Sequence, residues 1–117
     1  MQSATSIPSL RRSTPAATAA NTYVRCDVTN LESVNAMVNT VVSEFGTIDI
    51  LVNNAGINIP RLLVDPAGVQ ELSEQIWDKV MNVNVKGLFF CSQAAARVMV
   101  KKQSGVIINM SSECGLE

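Results

Sequence analysis

Two short apolar runs, residues 48–53 and residues 106–110, constrain the fold of this chain most strongly. Each run is apolar on both faces, which is typical of strands buried in a parallel sheet. A long stretch of helical character, residues 73–101, lies between them, with Ser73 as its predicted N-cap. Because parallel strands need crossover connections of this kind, the order predicts a parallel α/β sheet.

A further strand and helix are predicted before the first apolar run. Residues 22–26 are a short run rich in β-forming residues, and residues 29–32 have the form of a T-x-x-E capping box that opens a helix. Apolar residues recur at helical spacing after this box, and Gly46 stands where a helix would end. Residues 22–117 therefore predict one domain with the order strand, helix, strand, helix, strand.

The first 21 residues differ in composition from the rest of the chain. They are mostly Ser, Thr, Ala and Pro, with Ile7 and Leu10 as large aliphatic side chains and Pro8 and Pro15 as helix breakers. Such a segment buries little apolar surface, so we expect it to be disordered. It resembles an organelle-targeting leader in being Ser-rich and free of acidic residues, but we favour an incidental tail or a misassigned start. It has no apolar core of a secretory signal.

Composition excludes several classes of function. The 9 basic and 10 acidic residues give a net charge of −1, which argues against a strongly basic nucleic-acid binder. No apolar run reaches the roughly 18 residues of a membrane span. The three cysteines have no C-x-x-C spacing, so neither a disulfide framework nor a metal site is predicted, and free thiols fit a reducing, cytoplasmic compartment. Mechanisms with a histidine base are excluded because the chain has no His.

Four short motifs follow one another at strand ends and in the long helix. They are CDVTN at 26–30, DILVNNAG at 49–56, VNVKG at 83–87 and GVIINMSS at 105–112. In this order the chain resembles the middle of a short-chain dehydrogenase/reductase, a family of nicotinamide-dependent enzymes, over residues 22–117. The resemblance implies a partial, Rossmann-like doubly wound parallel sheet that contains strands three to five of the family fold.

The resemblance also implies residues that contact NAD or NADP. Asp27 would contact the adenine ring, with Val28 packed beside it, and the segment that contains Asn53, Ala55 and Gly56 would lie beside the ribose and phosphates. The alternative for Asp27 is a residue of a turn or a helix start, and Asn54 is as readily structural as cofactor-binding. The residue that determines whether NAD or NADP is bound follows strand two of the family fold. The four motifs do not include strand two, so the choice between the two cofactors is left open.

Two residues match catalytic positions of the family. Asn84 lies in the long helix, where the resemblance implies a main-chain kink and a water held for a proton relay. Ser112 is the second serine of its pair and would hold the substrate oxygen, so we prefer it to Ser111, as we prefer Asn84 to Asn82. Without the resemblance, Asn84 could also be an amide in the core or facing a partner, and Ser112 could belong to a simple turn.

Two motifs of the family have no counterpart in this sequence. The Gly-rich phosphate loop TGxxxGxG is missing, since the first glycine is Gly46, and the Tyr-x-x-x-Lys pair is missing, since the single tyrosine is Tyr23. We therefore expect a fragment of an enzyme whose complete parent transfers hydride between the cofactor and an alcohol or carbonyl. The fragment alone should be inactive, marginally stable and prone to associate through unpaired strand edges.

Substrate and partner are predicted less directly. Residues 58–78 are similar to what is expected in dehydrogenases of sugar alcohols or their phosphates, where Arg61 would face an anion; the alternative is an enzyme like 3-oxoacyl-carrier-protein reductases, with Arg61 on the surface. The resemblance further implies that the parent is a homo-oligomer through the helix at 73–101. The competing hypothesis is a non-catalytic interaction module that docks on a full-length paralogue.

Overall fold

The computed structural model describes residues 5–7 and 21–112. Within these residues the elements are β1 (Thr5–Ile7), α1 (Leu31–Phe45), β2 (Ile50–Asn53), α2 (Glu74–Met81), α3 (Gly87–Lys101) and β3 (Val106–Asn109). A π-helical segment (Asn82–Lys86) joins α2 to α3 without a break. Within residues 21–112, no helix combines the length and the hydropathy needed to cross a bilayer.

The two apolar runs pair in parallel, as predicted. The register joins Ile50 to Val106 and Asn53 to Asn109. The ladder extends by one hydrogen bond at its end, because the Met110 amide donates to the Asn53 carbonyl at 3.1 Å. The helical crossover that separates the strands in sequence explains why they are parallel. Their carboxyl ends therefore meet at one edge of the sheet.

Helix α1 begins one residue later than the capping box predicts. Asn30 is the N-cap, and its side chain accepts from the Ser33 amide at 3.0 Å. The Thr29 side chain is instead turned toward the Asp27 carboxylate, to which its hydroxyl donates at 2.7 Å. The predicted end is confirmed, since Gly46 adopts the left-handed conformation with φ 83° that glycine accepts without strain.

The predicted strand at residues 22–26 is wrong, since the structure has no strand there. A strand needs a partner, and in the doubly wound order the third strand reaches the fourth only through strands one and two. Cys26 and Val28 are nevertheless buried, with 2% of each side chain exposed. Hydrophobic packing therefore fixes this segment without a β-ladder.

The disordered tail predicted for residues 1–21 also needs correction in part. Residues 5–7 form β1, which pairs antiparallel with β2 and joins Thr5 to Val52 and Ile7 to Ile50. The free edge of β2 presents backbone donors and acceptors to which a short segment can add. The other residues of the tail before residue 21 lie outside the described part of the chain.

The core lies between α1, α3 and the face of β2 that carries Leu51 and Asn53. α1 packs against α3, and α3 packs against β2. Gly87 permits a close approach of the long helix, because a Cβ there would lie 2.6 Å from Cγ2 of Val28. The buried apolar side chains are Cys26, Val28, Val34, Met37, Val38, Val41, Ile48, Leu51, Cys91, Ala94, Ala95 and Met99.

Strand β3 is exposed, although its sequence is that of a buried strand. All four of its residues are exposed, and Val106 retains 53% of its accessible surface. The strand is the edge of the three-stranded order β1-β2-β3, with β2 as its single partner among the described residues. The apolar side chains of β3 are therefore not buried by the described part of the chain. Exposed apolar edge strands of this kind promote association.

Candidate active site

The Asn84 side chain clamps the loop that follows β2. Its Oδ1 accepts from the Ile57 amide at 2.8 Å, and its Nδ2 donates to the Ile57 carbonyl at 2.9 Å. Asn84 lies inside the π-helical segment Asn82–Lys86, where the helix is widened by its longer hydrogen-bond repeat. π-helical turns are frequent at functional sites, and this one coincides with the kink that the resemblance implies.

The neighbouring Asn82 behaves differently. It is exposed and shares the π-helical segment, whereas Asn84 is half-buried. The bidentate contact with Ile57 belongs to Asn84. Asn84, which the resemblance favours, thus differs from Asn82 in what its side chain touches.

Asp27 lies at the end of residues 22–26 and is held by Thr29. The Thr29 amide and hydroxyl both donate to Asp27 Oδ1, at 3.0 and 2.7 Å. The hydroxyl bond, followed by the amide bond, holds the pKa of the Asp27 carboxyl below its ordinary value of 3.8. The carboxylate is therefore ionised near neutral pH and fixed as a hydrogen-bond acceptor.

A cavity of about 530 Å³ opens beside Asp27. One wall comes from residues 27–29 and Ile57, and the other from α2 and the start of the π-helical segment. This volume falls within the range of roughly 300–1,000 Å³ that is usual for small-molecule sites. The wall residues contributed by the helix are Gln75, Asp78, Lys79, Asn82 and Val83.

Asn53 is turned into the protein. It is 7% exposed, and its Nδ2 donates to Ser92 Oγ at 3.0 Å and to Asn109 Oδ1 at 2.9 Å. An amide nitrogen carries two hydrogens, so both donors of this side chain are used within the protein. Asn53 therefore ties the ends of β2 and β3 to α3.

The remaining predicted residues lie on either side of this network. Ala55 packs against the core, and Gly56 comes within contact range of Asn84, since a Cβ there would lie 3.5 Å from Asn84 Oδ1. Ser112 follows β3 and is exposed, as is Ser111, whose hydroxyl donates to the Ser112 carbonyl at 3.5 Å. Both serines thus stand beyond the carboxyl end of the sheet, where ligands bind in open α/β folds.

The seven predicted site residues fall into three groups. Asp27 and Val28 line the cavity. Ile57 also lines the cavity, and its amide donates to Asn84, so Ile57 connects the cavity to Asn84. Asn53, Ala55 and Gly56 lie along the segment from β2 to Ile57, while Ser112 extends from β3. Asn53, Ala55, Gly56 and Ser112 lie at or beyond the carboxyl ends of β2 and β3, whereas Asp27 and Val28 directly follow residues 22–26 and Asn84 lies in the π-helical segment.

Three residues of this arrangement, Ile57, Ser92 and Asn109, are not predicted from the sequence. A signal existed for two of them. Both paired strands end in asparagine, ILVN in β2 and VIIN in β3, and a parallel register brings these ends together. Ser92 follows Asn84 by eight residues, about two helical turns, which brings both side chains to the same face of the helix.

The two described thiols belong to the core. Cys26 and Cys91 are free and buried. Burial, together with the proximity of Cys26, raises the pKa of the Cys91 thiol to about 12, and burial also raises the pKa of Cys26. Within residues 21–112, no group of three or more cysteine or acidic side chains is arranged to hold a metal ion.

Comparison with known proteins adds independent information. The family profile described as short chain dehydrogenase matches residues 4–117. Sorbitol-6-phosphate 2-dehydrogenase of Klebsiella pneumoniae is 51% identical over 94 residues, which cover 78% of this chain and 35% of that enzyme. The 3-oxoacyl-(acyl-carrier-protein) reductase FabG of Staphylococcus aureus is 44% identical over 92 residues, 79% of this chain and 35% of the reductase.

Solved structures agree with these relatives. The crystal structure of gox2181 superposes with a TM-score of 0.70 at 35% identity, over 79% of this chain and 34% of that one. ElxO with NADP bound superposes with a TM-score of 0.67 at 39% identity, over 78% of this chain and 35% of that one. The chain thus spans about a third of the length of the proteins that it matches.

Proposed function

The chain belongs to the short chain dehydrogenase family, and from that premise we propose that it is the central segment of an NAD(P)-dependent oxidoreductase. The complete protein would transfer hydride between the nicotinamide and an alcohol or carbonyl substrate. The observation that carries this proposal is the Asn84 clamp on Ile57, which lies between the Asp27 cavity and the strand-end segment. The NADP of ElxO supports the choice of cofactor class.

The described residues fit the adenine end of such a cofactor. The cavity beside Asp27 has apolar walls in Val28, Ile57 and Val83, against which a flat ring can pack. The Asp27 carboxylate is ionised and can accept a hydrogen bond from an exocyclic amine. Residues 53–56 would follow the ribose and phosphates with backbone atoms, because both Asn53 side-chain donors are used internally.

The cofactor supplies hydride chemistry when bound, and this chain supplies groups that orient and relay. Ser112 would donate a hydrogen bond to the substrate oxygen from the open edge beyond β3. Asn84 would hold a water of the proton relay at the π-helical segment, with its side-chain amide fixed by both polar atoms of the Ile57 backbone. Preorganised polar groups of this kind lower barriers without reorganising during reaction.

Residues 1–117 alone should not turn over substrate. The family acid/base is a tyrosine, which ionises near neutral pH only with the help of a nearby lysine. The tyrosine of this sequence is Tyr23, which is 83% exposed and lies two residues from Arg25. It matches neither the spacing nor the surroundings of that pair.

For the substrate we propose a sugar alcohol or its phosphate. Support comes from the 51% identity to sorbitol-6-phosphate 2-dehydrogenase and from the exposed Arg61. The loop after Arg61 is ordered around Asp65, whose carboxylate accepts from the Ala67, Val69 and Gln70 amides. A built loop of this kind can present a cation to an anionic group. The 44% identity to the reductase FabG supports the acyl-carrier alternative.

We also propose that the complete protein is a cytoplasmic homo-oligomer that associates through residues 73–101. Support comes from exposed apolar side chains along this helix, with Trp77 53% and Phe89 54% exposed. Exposed apolar patches mark interaction sites in soluble proteins, and large side chains such as these would contribute to one.

The decisive test transplants the segment. Residues 21–112 would replace the matching segment of the Klebsiella sorbitol-6-phosphate 2-dehydrogenase, and oxidation of sorbitol 6-phosphate would be followed with NAD and with NADP. The parent relative is the positive control, and circular dichroism verifies folding. We expect turnover by the chimera. A folded chimera without activity would contradict the proposal.

The same exposed apolar side chains support a second candidate, a non-catalytic module that docks on a full-length paralogue. The activity of the chimera distinguishes the two candidates, because a segment that serves docking alone gives a folded but inactive chimera. They differ again in solution, where docking predicts co-sedimentation of the 117-residue chain with a full-length family member. Trp77→Lys should weaken that complex, whereas Ser43→Lys, on exposed surface of α1, should not.

A further inference from the structure

One buried amide connects the two strand ends from which the predicted catalytic residues extend. Asn53 is the buried polar side chain of the described residues, and its Nδ2 reaches Asn109 on β3 and Ser92 on α3. Buried amides whose donors are all satisfied rigidify their surroundings, since breaking either bond leaves a desolvated donor. Three elements are therefore fixed at one point.

The route from this point to Asn84 is short. Three residues separate Asn53 from Ile57, whose backbone is held by the Asn84 side chain. Asn84 and Ser92 belong to the same continuous helix, so the helix contacts the β2 end twice, once at Ile57 and once at Asn53. Two contacts from one rigid helix fix the path of the intervening loop.

The route to Ser112 is also short. Asn109 is the last residue of β3, and Met110, directly after it, donates to the Asn53 carbonyl at 3.1 Å. Asn53 thus binds β3 through its side chain and its backbone. Ser112 extends from this doubly held end, so its position relative to Asn84 depends on the Asn53–Asn109 contact.

We propose that Asn109 and Ser92 are positioning residues that, through Asn53, set Ser112 and Asn84 at a fixed separation. Their significance for catalysis rests on the proposed function. The contact itself is a property of the apo chain, so it is tested without cofactor or turnover. Failure of the chimera would refute the proposed function and leave this coupling intact, while failure below would refute the coupling alone.

The experiment follows three amides of the 15N-labelled 117-residue chain by hydrogen exchange. Met110 reports the β3 end, Ile57 reports the Asn84 clamp, and Gly46, bound to the Val42 carbonyl at 2.8 Å, reports α1. Asn109→Leu removes the acceptor from Asn53 and keeps the approximate size. Asn109→Asp keeps an oxygen acceptor at the same position and is the matched control.

We expect Asn109→Leu to speed exchange at both Met110 and Ile57 about fivefold relative to Gly46, the factor for one net hydrogen bond. Asn109→Asp should restore both ratios. Ser92→Ala should reproduce the effect and Ser92→Thr should not, which keeps the test decisive if Asn109→Leu fails to fold.

Three results would overturn the proposal. An equal rise at all three amides would mean that the contact serves global stability alone. A rise confined to Met110 would mean that the strand end is held without coupling to Asn84. Lack of protection at Met110 and Ile57 in the unsubstituted chain would mean that the network does not order this edge.

Discussion

Asn84→Ala tests the clamp on which the proposed site depends. The substitution removes two hydrogen bonds to Ile57, at 2.8 and 2.9 Å, and leaves a half-buried amide and carbonyl without those partners. Each bond contributes a net 0.5–1.5 kcal/mol, so the loss is about 2 kcal/mol. Alanine returns about 0.5 kcal/mol through better helix propensity. The free energy of unfolding should therefore fall by roughly 1.5 kcal/mol.

The assay is urea unfolding followed by circular dichroism. With a slope of about 1–3 kcal/mol per molar urea, the midpoint should move down by roughly 1 M. Asn82→Ala is the matched control, because Asn82 is exposed on the same π-helical segment, and its effect should stay within about 0.5 kcal/mol. Equal losses for the two variants, or no loss for Asn84→Ala, would refute the reasoning.

Three further predictions concern charge, thiols and the open strand. Thr29 lowers the pKa of Asp27 from 3.8, so Thr29→Val should reduce the free energy of unfolding fully at about pH 6. This reduction should vanish as the pH falls through the lowered pKa. A reduction that urea titrations find to be independent of pH would contradict this. Cys26 and Cys91 should resist iodoacetamide in native buffer and react in urea, as followed by mass spectrometry, because burial raises both pKa values; rapid native labelling would count against the core assignment. Ile108→Lys on exposed β3 should reduce self-association in sedimentation velocity, while Ser43→Lys should not. An unsubstituted chain that sediments as a monomer would contradict the prediction that β3 drives association.

Local sequence signals predicted the elements that depend on local interactions. The two apolar runs became paired parallel strands, Gly46 ends α1, and Ser73 caps α2 by accepting from the Ile76 amide at 3.2 Å. Each of these depends on residues close in sequence or on a hydrophobic pattern. The predicted extent of the long helix agrees with the structure for the same reason.

The differences arise where distant groups compete. Thr29 and Asn30 are both good N-caps, and the choice between them depends on the Asp27 carboxylate, which engages Thr29. Residues 22–26 have strand propensity, but a strand exists only with a hydrogen-bonded neighbour. The exposure of β3 likewise follows from what lies beside it and not from its own composition.

The candidate site shows the same division. The motifs pointed to Asp27, Asn84 and Ser112, but their connection depends on cross-strand register and on a helix-to-loop contact. The Asn53 network was visible in sequence only as two strands that both end in asparagine. Which polar atoms meet across such an edge is a property of the folded chain.

The central claim is that this segment carries the substrate-holding serine of an oxidoreductase at the open edge of its sheet. The most direct measurement compares Ser112→Ala with Ser111→Ala in the chimera with the Klebsiella enzyme. Removing a hydrogen-bond donor from a reacting oxygen typically costs about 100-fold or more in kcat. We predict a loss of that size for Ser112→Ala and a change of no more than a few-fold for Ser111→Ala. Equal losses, or a larger loss for Ser111→Ala, would contradict the account.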